Sequence, residues 1–234
     1  MSGRPILFAH RGGGRLLREN TVGAFRRALE NGATGLETDV RLTRDGQAVL
    51  HHDASVRRFG VLHTPLSELD RAHLPRRVPT LAELYGSCGA DFELSIDLKD
   101  PESFATVIDV ARAAGGPNAL GRLWLCGESA DELRAWRAAE PAVRLCRSAD
   151  EPDFSLREAH GHLATLHESG VDAVNFRARA WTAELVTVAH AAGLKAFAWD
   201  ANRAELLRQV VGFGVDAVYA DRVRWMVATL SAGT

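Results

Sequence analysis

Short apolar segments rich in β-forming residues recur along the chain and alternate with stretches whose apolar positions repeat at helical spacing, the pattern of a parallel sheet with crossover helices. Eight segments read as barrel strands: 6–9, 35–40, 92–98, 122–126, 143–146, 172–176, 195–199 and 216–220. The intervening helices carry start and stop signals. After Thr21, Phe25, Ala28 and Leu29 share one face and Asn31-Gly32 ends the run. Asp100-Pro101 reads as an N-cap with proline at the first helical position, followed by Phe104, Val107, Ile108 and Ala111 at i, i+3, i+4 and i+7. Thr80-x-x-Glu83, Ser129-x-x-Glu132 and Asn202-x-x-Glu205 each resemble a capping box, and the helix from Thr182 closes on Gly193. Gly-Val-Asp-Ala-Val occurs at 170–174 and again at 214–218, one helix-to-strand junction used twice.

One piece breaks the rhythm. Arg44-Asp45-Gly46-Gln47 is a turn signal directly after the second strand, and Ala48-Val49-Leu50-His51 then reads as a further strand. A hairpin cannot be a parallel crossover, so this strand is expected beside the barrel mouth. The roughly 25-residue stretch after it, 53–79, reads as a long substrate-side loop. The expected fold is α/β, a (β/α)8 TIM barrel with a short extra strand after the second barrel strand. A length of 234 residues, with no low-complexity linker, suits one domain over 1–234.

Composition narrows the partners more than the fold. With 46% hydrophobic and 25% charged residues and a formal net charge of -2, the chain offers no electrostatic argument for nucleic acid or an acidic membrane. Met1 to Pro5 runs straight into a strand without the apolar core of a signal peptide, and no apolar run is long enough to span a bilayer. Cys88, Cys126 and Cys146 are too widely spaced for a zinc site and odd in number, so they read as buried, reduced thiols. The expectation is a cytoplasmic protein acting on a small molecule, with a removed leader as the alternative. The apolar segment Trp225-Met226-Val227 reads as cover for the barrel bottom or as a dimer interface.

In parallel barrels, reactive groups sit at the C-terminal ends of strands. The first strand ends in His10-Arg11-Gly12-Gly13-Gly14, the second contains Glu37-Thr38-Asp39, the extra strand runs into His51-His52-Asp53, and the third barrel strand ends in Asp97-Leu98-Lys99. Residues two apart on a strand share a face, so Glu37 projects with Asp39, and Asp97 with Lys99. Three carboxylates converging inside a barrel repel unless a cation or shared protons intervene, and hard oxygen donors favour Mg2+ or Ca2+. Spacing alone leaves a second reading, a buried ionic network with Arg11 and Lys99. His10 and His52 are the candidates for proton transfer, while His51 should face the other way. Arg11 suits a phosphate clamp or a salt bridge to Glu19 or Glu37. Trp199 stands at a strand end as pocket wall or core filling. No GxSxG or reactive-cysteine setting argues for a covalent nucleophile.

His10-Arg11-Gly12, Glu19-Asn20-Thr21, Gly35-Leu36-Glu37-Thr38-Asp39-Val40, Thr43-Arg44-Asp45-Gly46 and His52-Asp53, in this order, strongly resemble the N-terminal signature of glycerophosphodiester phosphodiesterases, members of the phospholipase C-like phosphodiesterase superfamily. Looser similarity continues through Pro79-Thr80-Leu81, Ile96-Asp97-Leu98-Lys99, Ala198-Trp199 and Asp221. The resemblance implies a barrel enzyme that binds one divalent cation, Mg2+ or Ca2+ with Mn2+ also fitting, and cleaves glycerophosphodiesters to sn-glycerol 3-phosphate and an alcohol. It implies Glu37, Asp39 and Asp97 as metal ligands, His10 and His52 as the acid–base pair, and Arg11, Lys99 and Trp199 as the substrate and phosphate contacts. Departures stand at Asp97, where such enzymes commonly carry glutamate, at Arg18, often proline, and at Trp199-Asp200-Ala201-Asn202 in place of Trp-Thr-Val-Asn. Lipid-directed enzymes of the same superfamily are an alternative, with 57–62 as the only apolar approach for acyl chains. A non-catalytic barrel that binds phosphate esters is another.

Overall fold

Eight parallel strands close on themselves: β1 (Ile6–Ala9), β2 (Gly35–Leu42), β6 (Glu93–Leu98), β7 (Leu123–Gly127), β8 (Arg144–Ser148), β9 (Ala173–Arg177), β10 (Lys195–Trp199) and β11 (Ala217–Ala220). A computed structural model describes residues 4–13, 18–58 and 62–231 of the chain. The closure runs through β1, which pairs with β11 on one side (Ile6 opposite Ala217) and with β2 on the other (Phe8 opposite Gly35). Gly35 makes that second pairing close, because a Cβ there would lie 2.5 Å from the Phe8 ring. Every strand predicted from the sequence is present, displaced by at most two residues at an end.

Side chains alternate between the two faces of each strand. Phe8, Trp124, Cys146, Phe197 and Tyr219 fill the barrel interior, with Phe8 stacked on Tyr219 at 4.6 Å. The larger cluster lies between the barrel and its helices. These are α1 (Val22–Glu30), α2 (Leu81–Cys88), α3 (Phe104–Leu120), α4 (Ala130–Ala139), α5 (Leu156–Glu168), α6 (Ala183–Ala191), α7 (Ala204–Phe213) and α8 (Val223–Ser231). Thr21, Thr80, Ser129 and Thr182 cap α1, α2, α4 and α6 through their hydroxyls. α3 is broken at Gly116 (φ 57), just before Pro117. α8 packs on α7 and β1 with Met226 buried, so the apolar C-terminal segment belongs to the helical ring.

Four expectations need correction. Asp100 stands at the N-cap with Pro101 next, but of a 3-10 turn at Pro101–Ser103 that precedes α3, and its side chain makes no cap bond; its carboxylate takes Arg41 Nη1 at 2.7 Å and the Leu42 N–H at 2.9 Å. Asn202 leaves the N-cap of α7 to Arg203, because its amide is engaged by Asp221 beyond the end of the neighbouring strand β11. The stretch 53–79 is not a bare loop. It holds the hairpin β4 (Ser55–Arg58) and β5 (Leu62–Pro65), and Val56, Leu66, Leu69, Leu74 and Val78 form a small core of their own against Val49 of β3 (Ala48–Leu50). Cys88 is only partly buried, whereas Cys126 and Cys146 are buried, and all three are free. β3 runs antiparallel to β2 outside the barrel, as expected. Gly14 of the glycine run and Phe59, Gly60 and Val61 of the apolar approach lie outside the described residues.

Candidate active site

A cavity of ≈ 430 Å3 opens at the C-terminal ends of the strands. His10, Arg11, Glu37, His52, Asp97, Lys99 and Trp199 all line it. Asp39, the remaining predicted residue, is buried directly behind, with Arg11 and Lys99 on its carboxylate. The fold thus brings all eight side chains to one mouth, with Glu37 beside Asp39 and Asp97 beside Lys99 as strand parity requires. No described residue of 53–79 lines the cavity; His52, at the root of that stretch, does.

β2 delivers Glu37 and Asp39 to the same face, and β6 sets Asp97 directly beside Asp39 in register. One oxygen from each of Glu37, Asp39 and Asp97 lies within 4.8 Å of the others. Lys99 Nζ sits 3.0 Å from Asp97 Oδ2 and 3.3 Å from Asp39 Oδ1, while Arg11 Nε lies 3.2 Å from Asp39 Oδ2. The two readings left open by spacing thus coexist: a carboxylate cluster, and an ionic network around it. Burial drives the Glu37 carboxyl up to about 8; the His10 charge opposes this, whereas Asp39 and Asp97 reinforce it and the Arg11 N–H opposes it. For Lys99, burial acts downward, but Asp97 and Asp39 outweigh it and hold the ammonium above its usual value. Three convergent hard oxygens, one of them resisting ionisation without a positive partner, fit a divalent cation of the Mg2+ or Ca2+ kind.

Each element of the Glu19-Asn20-Thr21 segment has a separate task. Glu19 accepts from Arg11 Nη1 at 3.2 Å, Thr21 caps α1, and Asn20 is buried between the strands, giving Nδ2 to Asp39 (3.2 Å) and accepting from Thr38 Oγ1 (2.8 Å). Glu37 accepts the Arg11 backbone N–H at 2.8 Å, so the Arg11 salt bridges go to Glu19 and Asp39. Arg11, Asn20 and Asp200 are the non-glycine residues with positive φ (50, 53 and 60°) among the described residues. All three lie at this mouth, where such conformations persist only if the surroundings impose them.

The two histidines arrive by different routes and are oriented alike. His10 holds Asp221 Oδ1 through Nδ1 at 2.7 Å, leaving Nε2 3.9 Å from Glu37. Asp221 is itself fixed by Asn202, which donates to Oδ2 (3.2 Å) and accepts the Asp221 N–H (2.9 Å). Burial pulls the His10 imidazole down, yet Glu37 and the hydrogen bond to Asp221 outweigh it and leave it at about 9. His52 pairs through Nδ1 with Asp53 at 2.9 Å. Its carbonyl accepts from Arg41 Nε at 2.9 Å, and Arg41 is anchored to Asp100. His51 turns away and binds the Ser55 carbonyl, as the alternation requires. Trp199 is fixed by its Nε1 donation to the Ala149 carbonyl and by the Arg177 guanidinium 4.4 Å from its ring centre.

Sequence reading missed the positioning roles of Asn20, Arg41, Asp100, Asn202 and Asp221. Asn20, Asn202 and Asp221 stood among the residues of the resemblance without a role, and Arg41 and Asp100 only as polar residues at a strand end and a cap, because each acts through a partner that folding brings to it. The completed site sets two imidazoles, two cations and a carboxylate cluster around one cavity, an arrangement able to hold an anionic ester and move protons on it.

The family model for the glycerophosphoryl diester phosphodiesterase family matches residues 10–224. A glycerophosphodiester phosphodiesterase from Caldanaerobacter subterraneus subsp. tengcongensis is 27% identical, with 98% of this chain and 99% of that protein covered. Among solved structures, a glycerophosphodiester phosphodiesterase from Thermotoga maritima superposes with a TM-score of 0.82 at 23% identity, covering 97% of this chain and 99% of the other. A phosphodiesterase from Oleispira antarctica, in complex with the product sn-glycerol-3-phosphate, also superposes with a TM-score of 0.82, at 21% identity and 97% coverage of both chains.

Proposed function

Because the chain belongs to the glycerophosphoryl diester phosphodiesterase family, we propose that it hydrolyses glycerophosphodiesters to sn-glycerol 3-phosphate and an alcohol, as one catalytic domain, with one divalent cation held by Glu37, Asp39 and Asp97. The observation that carries this reading is that His10 and His52 line the same cavity as Glu37, Asp97, Arg11 and Lys99. The product bound by the Oleispira phosphodiesterase supports the same substrate class.

A phosphodiester carries negative charge that repels a nucleophile. Arg11 and Lys99 offset it by holding phosphate oxygens, and keep doing so as charge moves onto the leaving oxygen. Mg2+ or Ca2+, when bound, would add Lewis-acid neutralisation of the phosphoryl oxygens. One histidine takes the proton from the attacker, water or the substrate's own glycerol hydroxyl, as its oxygen bonds to phosphorus; in the second case water then opens the cyclic phosphate in a like step. The other gives a proton to the alkoxide released when the opposite P–O bond breaks. Asp221 and Asp53 hold the Nδ1 sides, so each imidazole presents Nε2 to the substrate. Trp199 walls the glycerol-sized space beside them.

The decisive experiment is hydrolysis of a panel of glycerophosphodiesters, with lysophospholipid and sphingomyelin alongside, in EDTA, Mg2+, Ca2+ or Mn2+. We expect release of sn-glycerol 3-phosphate, abolition by EDTA, and a fall of about 10^2 to 10^4 in kcat for His10→Ala or His52→Ala. Preferential turnover of the lipids, or full activity in either histidine variant, would sink the assignment.

A further inference from the structure

Resting on that reading, we infer that Asn175 is the residue that recognises the glycerol hydroxyls of the substrate. Asn175 lies in the middle of β9 and, by strand alternation, points into the barrel, where it lines the cavity floor. It is 5% exposed, and its Oδ1 is buried without a hydrogen-bond partner; Nδ2 reaches Ser148 Oγ at 3.4 Å. Five buried side-chain polar atoms lack partners among the described residues, and two of them, Arg11 Nε and Asn175 Oδ1, belong to residues lining this cavity. Arg11 Nε has the Asp39 charge beside it. The Asn175 amide has only Ser148, at its other end. If the amide were turned over, a donor would be left instead, and a hydroxyl satisfies either.

The position identifies what should fill it. Following the strand order around the closed barrel, β9 stands four strands from β2, directly across from the strand that carries Glu37 and Asp39. Arg11 and Lys99 belong to the β1, β2 and β6 side, whereas the opposite side carries no cation in the lining: Ser148 and Asn175 lie on its strands, with Asp150 and Asp200 beyond the ends of β8 and β10. An eight-stranded barrel is only a few side chains wide, so a three-carbon arm extending from a phosphate on the cationic side reaches that floor. In a glycerophosphodiester the glycerol arm carries free hydroxyls whatever the second alcohol is. A buried acceptor left unmet in the free protein gains its partner when that arm arrives, and an analogue lacking hydroxyls leaves it unmet.

The test is calorimetric binding of sn-glycerol 3-phosphate and of n-propyl phosphate, in the presence of Mg2+, to the wild type, to the near-isosteric Asn175→Leu, and to Asn175→Ala in case leucine overpacks the floor. The two ligands share the phosphate and the three carbons and differ by two hydroxyls. We expect the wild type to prefer glycerol 3-phosphate by about tenfold or more. Either variant should bind the two ligands within about twofold of each other, keep the wild-type affinity for propyl phosphate, and melt no lower than the wild type. A wild type that does not distinguish the ligands, or variants that retain the preference or weaken both ligands equally, overturns the role of Asn175 alone. A wild type that binds neither phosphate overturns the phosphodiesterase reading beneath it.

Discussion

Asn20 shows how much a single buried amide can decide. It sits at φ 53 with its side chain split between Thr38 and Asp39, so one carboxylate of the cluster is aimed by a residue that does not line the cavity. Groups of this kind cost about 10- to 100-fold in metal affinity or activity when removed. Asn20→Ala should therefore raise the metal concentration needed for half-maximal activity by that order while leaving the far-ultraviolet spectrum unchanged; an unshifted metal titration would show that Asp39 holds its place unaided. Legibility in the sequence divides at this scale along a physical line. Glu37 with Asp39, and Asp97 with Lys99, were readable because the two-residue period of a strand puts their side chains on one face without knowledge of anything else. His10 with Asp221 was not, since 211 residues separate them and only barrel closure makes them neighbours. Asp100 and Asn202 looked like helix caps because short polar side chains are good caps, but the side chain of each is taken by a partner on or just past the adjacent strand, Arg41 for one and Asp221 for the other.

At the level of elements, the repeated Gly-Val-Asp-Ala-Val segment is a fastening used twice in the same way. Gly170 and Gly214 take positive φ at the ends of α5 and α7 (89 and 92°), and Val171 and Val215 are buried beneath. Asp172 then accepts the Leu145 N–H of β8 at 2.7 Å, and Asp216 the Ala196 N–H of β10 at 2.8 Å, each the second residue of the neighbouring strand. Asp216 also binds His190 Nε2 at 2.8 Å, and Asp172 binds Arg137, whose guanidinium also reaches the carbonyls of Gly170, Pro141 and Val143. Charge-assisted bonds to a strand N–H contribute about 1.5–3 kcal/mol. Asp216→Ala should accordingly lower the melting temperature by roughly 4–10 °C in a chain of this size, with KM for the substrate unchanged. A variant melting with the wild type would mean that water replaces the carboxylate. The motif's repetition was visible in the sequence; its tie to the adjacent strand was not, because the partner is a backbone group that any residue carries.

Taken whole, the molecule concentrates its unresolved electrostatics at one end. The barrel interior below the site is aromatic and aliphatic, the helices are capped by ordinary means, and the described residues include no helix long and apolar enough to cross a membrane. The mouth instead gathers three carboxylates, one of them held well above its usual range by burial, together with all three strained non-glycine residues. A ligand that binds the folded state and not the unfolded one stabilises it by mass action, about 2.7 kcal/mol at a hundred times its Kd. Saturating Mg2+ or Ca2+ should therefore raise the melting temperature by several degrees, and Asp97→Asn should shrink that rise. An identical melting curve with and without the ion would argue against a metal at this cluster. The barrel as a whole was legible from periodicity, since each strand announces itself locally, whereas the hairpin in 53–79 was hidden because its strands are short and its core is a private one.

The bond between His10 and Asp221 joins the first barrel strand to the turn that follows the last, where β1 and β11 zip together. That makes closure of the barrel and alignment of this imidazole one event. A nascent chain arrested on the ribosome with β10 already emerged would display both histidines, all three carboxylates and both cations in covalent order, and His10 would still lack the carboxylate that holds its Nδ1. Alignment would come as β11 docks beside β1 and carries Asp221 to His10, so turnover should appear together with the last strand of the barrel.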